Sequence, residues 1–192
     1  MGKKHHYRSL QGLGYQAVSG LTVYFFFFAL RIISGLRFQP SQFIPMPLRE
    51  LKNPSQIESW LNEWGAQLTE HGSMVLIGSG ALLWHAAQRN QELPLPENSM
   101  DVDPVTDSEQ VALLGYEAMI GSEFERAHGW HVNLMPSAVL SEMPSDWKSR
   151  AHSKTYGLLE VVVPSVDDLL IPKIRRGEPR DKAHAEWARG LV

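Results

Sequence analysis

"VLIGSG", residues 75–80, and "SMDVDPV", residues 99–105, are the stretches whose reading decides the fold. The first runs an apolar strand into a turn with a serine between two glycines; the second sets two aspartates one residue apart. A strand that enters a helix through Gly78-Ser79-Gly80 leaves backbone N–H groups unpaired at the helix start, where the helix dipole also favours an anion. Phosphate suits that place, because Gly78 and Gly80 let a ligand approach the backbone and the Ser79 hydroxyl can bond a phosphate oxygen. In a strand, residues two apart point to the same face, so Asp101 and Asp103 come together while Val102 packs inward. Paired carboxylates repel, and a cation relieves them. Oxygen-only ligands suit magnesium, which commonly takes one or two carboxylates and completes its shell with water and substrate phosphates. In this order, the two stretches predict a site for a metal-bound nucleotide.

Around them the pattern is that of one α+β domain. Ile57, Trp60, Leu61, Trp64 and Leu68 recur at helical spacing behind Asn53-Pro54, a cap followed by proline at the first helical position. "MVLI", 74–77, reads as a short buried strand, "GALLWHAAQRN" from Gly80 as a helix, and "MDVD" as the next strand. A helix starts near Asp107 or Ser108 with Val111, Leu114 and Ala118 on one stripe. "WHVNLM", 130–135, and the β-branched "LLEVVV", 158–163, read as strands, with "SEMPSDWKSR" an ordered loop between them. Ser165 and Asp168 open "VDDLLIPKIRRG" as a serine-x-x-acid start; Pro172 is expected to kink that helix, and "RDKAHAEWARG" forms the last one. The order is helix, strand, helix, strand, helix, strand, strand, helix, helix, with helices packed on a small mixed sheet.

Composition removes several alternatives. The chain has 192 residues, 43% of them hydrophobic and 20% charged, which fits a globular domain with a sizeable core, and it has no cysteine. Disulfides, thiolate metal sites and cysteine nucleophiles are therefore excluded. Residues 1–45 hold no acid; residues 46–192 hold all 21 acids and 13 of the 18 lysines and arginines, a net charge of −8. Bulk charge does not draw this domain to nucleic acid, so an RNA partner needs a local basic patch. Residues 9–30 carry no charge over 22 positions, close to the roughly 20 needed to cross a bilayer, and follow Lys3, Lys4 and Arg8. Two readings of residues 1–45 stand: a membrane-directing segment, or upstream sequence translated from a start placed before Met46. The expected location is the cytoplasm, with membrane association only if residues 9–30 are a real membrane segment.

The turn and the aspartates resemble the minimal nucleotidyltransferase fold, in which a GS or GG turn precedes D-x-D on the next strand. More of the chain resembles an uncharacterised bacterial nucleotidyltransferase-like family related to toxin-type and abortive-infection nucleotidyltransferases. "SEFERAHGWHVNLMPS", 122–137, is similar to that family's S-x-F-x-x-x-H-G segment; "MPSDWKSR", 143–150, to its L-P-x-G-W-x-x-R; and "VDDLLIPKIRRGEPRDKAH", 166–184, to its D-L-x-x-x-K-L-x-x-x-R-x-K-D. The likeness covers roughly residues 55–190. It implies transfer of a nucleoside monophosphate from a nucleoside triphosphate to an RNA or protein acceptor, and a cognate antitoxin as partner. Asp101, Asp103 and Lys173 are then the catalytic residues, with Mg2+ on Asp101, Asp103 and Asn133, in one or two metal sites. Gly78, Ser79 and Gly80 hold phosphate, which Arg176 and Arg180 reach from the opposite helix.

Four positions depart from the family pattern. Glu97 stands where an arginine precedes the D-x-D strand, although Ser99 keeps the neighbouring hydroxyl. Asn133 takes the third acidic position, where it can ligate through its carbonyl but carries no charge and offers no base. Ala183 replaces the acid of R-x-K-D, with Asp181 two residues before it, and the chain stops at Val192 where relatives continue. Glu160 on the strand 158–163 is a candidate stand-in for a third carboxylate, beside the plainer reading of an exposed strand glutamate. These departures favour, as the alternative, a catalytically impaired binding module. His85, His128, His131 and His184 lie on separate elements without paired spacing, which argues against zinc.

Overall fold

The computed structural model describes residues 50–97 and 99–191; the expectations for residues 1–45 lie outside them. Helix α1 (Pro54–Gln67) leads to strand β1 (Gly72–Ile77), helix α2 (Gly78–Gln88) and strand β2 (Asp101–Val105). Helices α3 (Glu109–Glu117) and α4 (Glu123–His128) precede the short strand β3 (His131–Val132). Strands β4 (His152–Tyr156) and β5 (Leu159–Val163) and helices α5 (Val166–Arg176) and α6 (Pro179–Ala188) complete the chain. The five strands lie in the order β3-β2-β1-β5-β4. β1 runs parallel to β5 and antiparallel to β2, β2 parallel to β3, and β4 antiparallel to β5, so the sheet is mixed, as expected.

The strand alternation sorts the sheet into two faces. Met74 and Leu76 on β1, Val102 on β2 and Leu159, Val161 and Val163 on β5 are buried together with Ile57, Trp60, Leu61 and Trp64 of α1 and Leu82, Leu83 and Trp84 of α2. α1 begins where Gln56 Oε1 accepts from the backbone N–H groups of Asn53 (2.8 Å) and Lys52 (2.9 Å), ahead of Pro54 at the first helical position. The opposite face is half open: Asp101 and Asp103 sit on it, Asp103 in register with Ile77 of β1 and Asp101 with His131 of β3.

Three local differences from the sequence reading have physical reasons. α2 starts at Gly78, two residues before Gly80, because Gly78 takes φ +69° and turns the chain within its own first turn. β3 keeps only His131–Val132 of the expected 130–135. The backbone N–H groups of Asn133 and Met135 still reach Val102 O (2.8 Å) and Pro104 O (2.9 Å), but Pro104 has no N–H to return. β4 and α4 carry too little apolar periodicity to be read in advance: β4 is a mostly exposed edge strand that buries Tyr156 alone, and α4 has no buried residue. α5 continues through Pro172 to Arg176. That helix opens as predicted, Ser165 Oγ accepting from the Asp168 N–H at 3.2 Å. No helix among the described residues is long and apolar enough to cross a membrane.

Helix α1 is seated on the β4–β5 hairpin by backbone contact at Gly65. The Leu158 N–H donates to Gly65 O at 3.2 Å, and a Cβ on Gly65 would lie 1.8 Å from Tyr156 O. Backbone cannot retreat as a side-chain end can, so Gly65→Ala should cost about 3 kcal/mol or more and lower Tm by roughly 10 °C in a thermal melt. Gly190→Ala, which meets nothing within 4 Å, is the matched control and should melt like the parent.

Candidate functional site

The antiparallel pairing of β1 with β2 sets Ile77 opposite Asp103, so the residue after Ile77 meets the Asp103 side chain. That residue is Gly78, and a Cβ on it would lie 2.3 Å from Asp103 Oδ2. Only a bare Cα at positive φ lets the carboxylate rest against the first turn of α2. Asp101 follows on the same face, where the Ser99 hydroxyl holds it through Asp101 O (3.0 Å) and Oδ1 (3.2 Å). Asn133, one residue beyond the β2–β3 pairing of Val102 with Val132, donates from Nδ2 to Asp103 Oδ1 at 3.0 Å.

Electrostatics report the same proximity. Burial pushes the Asp103 carboxyl up from 3.8 to about 6, and the neighbouring Asp101 charge adds to the rise. The Asn133 hydrogen bond and the positive charges of Lys173 and Arg176 pull it back. Lys173 and Arg176, both on α5, therefore lie close enough for their charges to act on the Asp103 carboxyl.

Behind the turn lies a buried polar cluster that joins α2 to α5 and α6. Lys173 Nζ donates to Ser79 Oγ and to Asp181 Oδ1, both at 3.4 Å, with side chains of Lys173 and Asp181 almost wholly enclosed. Arg176 grips Asp181 with two bonds, Nε to Oδ2 at 2.7 Å and Nη2 to Oδ1 at 2.8 Å. That grip, more than burial opposes it, holds the Asp181 carboxyl below the usual range, while burial brings Lys173 down against the pull of Asp181. His184, with no exposed surface, has Nδ1 3.2 Å from Ser79 Oγ and Nε2 3.1 Å from Glu97 O. Arg180 is exposed and acts on Lys173 and His184 through its charge.

Asp181 and His184 were not among the residues read as site residues. The folded structure turns both inward, and two buried polar residues three apart on one helix need partners. The Asp181 displacement from the family pattern is thereby accounted for, since Asp181 itself reaches Lys173 and Arg176. Glu160, in contrast, does not join the aspartates. It pairs with Ser73 at the far end of β1, four residues or roughly 13 Å along the strand from Ile77, and lines a separate cleft with Glu70, His71, Asp107 and Glu109. Two other motif residues have structural work: Arg150 holds Asp168 through Nε (3.1 Å) and Nη2 (2.7 Å), which fixes the start of α5.

The four histidines do not gather. His85 bonds Pro164 O, His128 stacks on Phe124, His131 meets Glu125 and His184 lies in the buried cluster. Among the described residues no group of three or more His, Asp or Glu side chains could hold a metal ion. Two carboxylates and an amide remain at the β2–β3 edge, a set that fits magnesium only if water and a substrate phosphate complete the shell.

A family model described as "nucleotidyltransferase of unknown function" (DUF6036) matches residues 57–187. No curated protein and no solved structure matches the chain. The family match spans the Gly78 turn, both aspartates, Asn133, Lys173 and the Asp181 cluster, and by it this chain belongs to the nucleotidyltransferases of unknown function.

Proposed function

We propose that the chain is a magnesium-dependent nucleotidyltransferase that moves a nucleoside monophosphate from a nucleoside triphosphate to an RNA or protein acceptor. The observation that carries this reading is the contact of the Asp103 carboxylate with the Gly78 turn, with Asp101 on the same face and Lys173 3.4 Å from Ser79. The first turn of α2 receives the triphosphate on backbone N–H groups. Lys173 lies behind it, and Arg176 and Arg180 face the departing pyrophosphate. Asp101 and Asp103 would hold magnesium, with the Asn133 carbonyl as a neutral third ligand, and the bound ion would supply charge neutralisation at the reacting phosphates. The acceptor oxygen forms a bond to the α-phosphorus as the bridging oxygen to the β-phosphorus leaves with pyrophosphate. Positioning and charge neutralisation supply most of the acceleration in such transfers. The likeness to toxin-type and abortive-infection enzymes supports a cytoplasmic protein with a cognate antitoxin as partner. A second reading, a nucleotide-binding module without turnover, is favoured by Asn133, which leaves the site one carboxylate short.

Incubation with each labelled nucleoside triphosphate, magnesium and a pool of cellular RNA and protein should give incorporated label. Asp101→Ala should reduce it at least a hundredfold, about 2.7 kcal/mol of transition-state stabilisation, and chelation of the metal should remove it. Nucleotide binding without product, together with turnover in Asn133→Asp, would establish the binding module instead.

A carboxylate kept for function at a cost to the fold has its own signature. The Asp103 pKa is raised on folding, so its contribution to stability is complete below 3.8 and is lost as pH rises through about 6. The shift from 3.8 to about 6 amounts to ~3 kcal/mol against the ionised form. Asp103→Asn should therefore melt several degrees above the parent at pH 8 and level with it near pH 4. Magnesium should raise the parent's Tm at pH 8 and leave the variant's unchanged.

A further inference from the structure

We infer that His184 is a positioning residue: a neutral imidazole, protonated on Nε2, whose Nδ1 accepts a hydrogen bond from the Ser79 hydroxyl and so fixes Lys173 behind the phosphate turn. This role rests on the proposed function. Its geometry fixes the direction of every hydrogen bond. Glu97 O, 3.1 Å from Nε2, can only accept, so Nε2 carries the proton and Nδ1 presents a lone pair. Ser79 Oγ lies 3.2 Å from that lone pair and Lys173 Nζ 3.5 Å. The nearer group, the hydroxyl, donates to Nδ1 and leaves its oxygen lone pairs to accept from Lys173 Nζ at 3.4 Å.

The consequence is a change in what the turn offers. With its proton committed to His184, Ser79 does not donate to phosphate; the backbone N–H groups and Lys173 do. Lys173 is held from two sides, by Ser79 Oγ and by Asp181 Oδ1. His184 also ties α6 to Glu97, in the segment leading to Ser99 and Asp101. Protonation of Nδ1 would aim an N–H at two donors, one of them Lys173. Burial opposes that protonation first, and the charges of Lys173 and Arg180 add to it; the Glu97 carbonyl bond and the Asp181 charge favour it, and the ring's pKa stays below its ordinary value.

The full-length chain, labelled with 15N, tests the tautomer by long-range proton–nitrogen correlation near neutral pH, with His184 assigned by its loss in His184→Asn. The expected spectrum has Nδ1 unprotonated and Nε2 protonated; a protonated Nδ1 overturns the role. Titration with inorganic triphosphate and magnesium tests the consequence. His184→Ala should weaken binding about tenfold, the size of one hydrogen bond to a charged group. His184→Asn, whose carbonyl can replace the Nδ1 acceptor, should stay within about threefold. In a Ser79→Ala background, His184→Ala should add less than about twofold, because the two act through one hydroxyl. Full additivity, or an Asn variant weakened tenfold, overturns the role, and the Asn comparison stands if the alanine variant does not fold. A parent chain that binds no triphosphate overturns the proposed function and this role with it, whereas binding with a protonated Nδ1 overturns this role alone.

Discussion

The bare Cα of Gly78 against the carboxylate of Asp103 is the contact on which the candidate site depends. Sheet pairing brings Ile77 opposite Asp103, and the chain must then leave the sheet without colliding with the carboxylate. A Cβ at 2.3 Å from Oδ2 would force either the aspartate or the helix start aside. Glycine at φ +69° removes the collision and turns the backbone into α2 in the same residue. The Gly78 turn and the acidic pair are thus held together by the ladder of β1 and β2, and the distance between them does not depend on a loop.

The second constraint is charge burial. Lys173 and Asp181 are almost fully enclosed, which is costly for either alone and tolerable only because each is paired and hydrogen-bonded. Arg176 adds two bonds to Asp181 from the half-exposed side, and Ser79 and His184 close the inner side. α5 and α6 therefore dock on α2 in one geometry, since sliding either helix would strand a charge away from water. Such pairs specify an arrangement more than they stabilise it. Here the arrangement aims the cations of α5 at Asp103, whose raised pKa they partly reverse.

The fold was legible where one face is buried. The stripe of Ile57, Trp60, Leu61 and Trp64 and the run from Leu159 to Val163 carry their period openly because each buries an apolar face in the core. β4 was not legible because an edge strand that buries only Tyr156 has no alternation to show, and α4 has no buried residue at all. In the site, Asp101, Asp103 and the Gly78 turn could be read from local spacing, which a strand and a strand-to-helix turn fix on their own. The roles of Asp181 and His184 could not, because they depend on α6 crossing to α2 and to the Glu97 carbonyl, contacts 87 to 105 residues apart in the chain. Glu160 failed as a third acid for the converse reason. It shares a sheet face with Asp103, but strand register sends it to the other end.

Asn133 is where the chain's chemistry is most its own. A third carboxylate beside Asp103 would repel it as Asp101 does and push its pKa higher still. The amide does the opposite: its Nδ2 bond to Oδ1 favours the ionised form, so Asp103 approaches neutral pH ready to lose its proton with one fewer negative charge nearby. What the amide cannot do is take a proton from an incoming acceptor. The amide therefore does one of the two things a carboxylate could do at this position: it bonds Asp103 but offers no base.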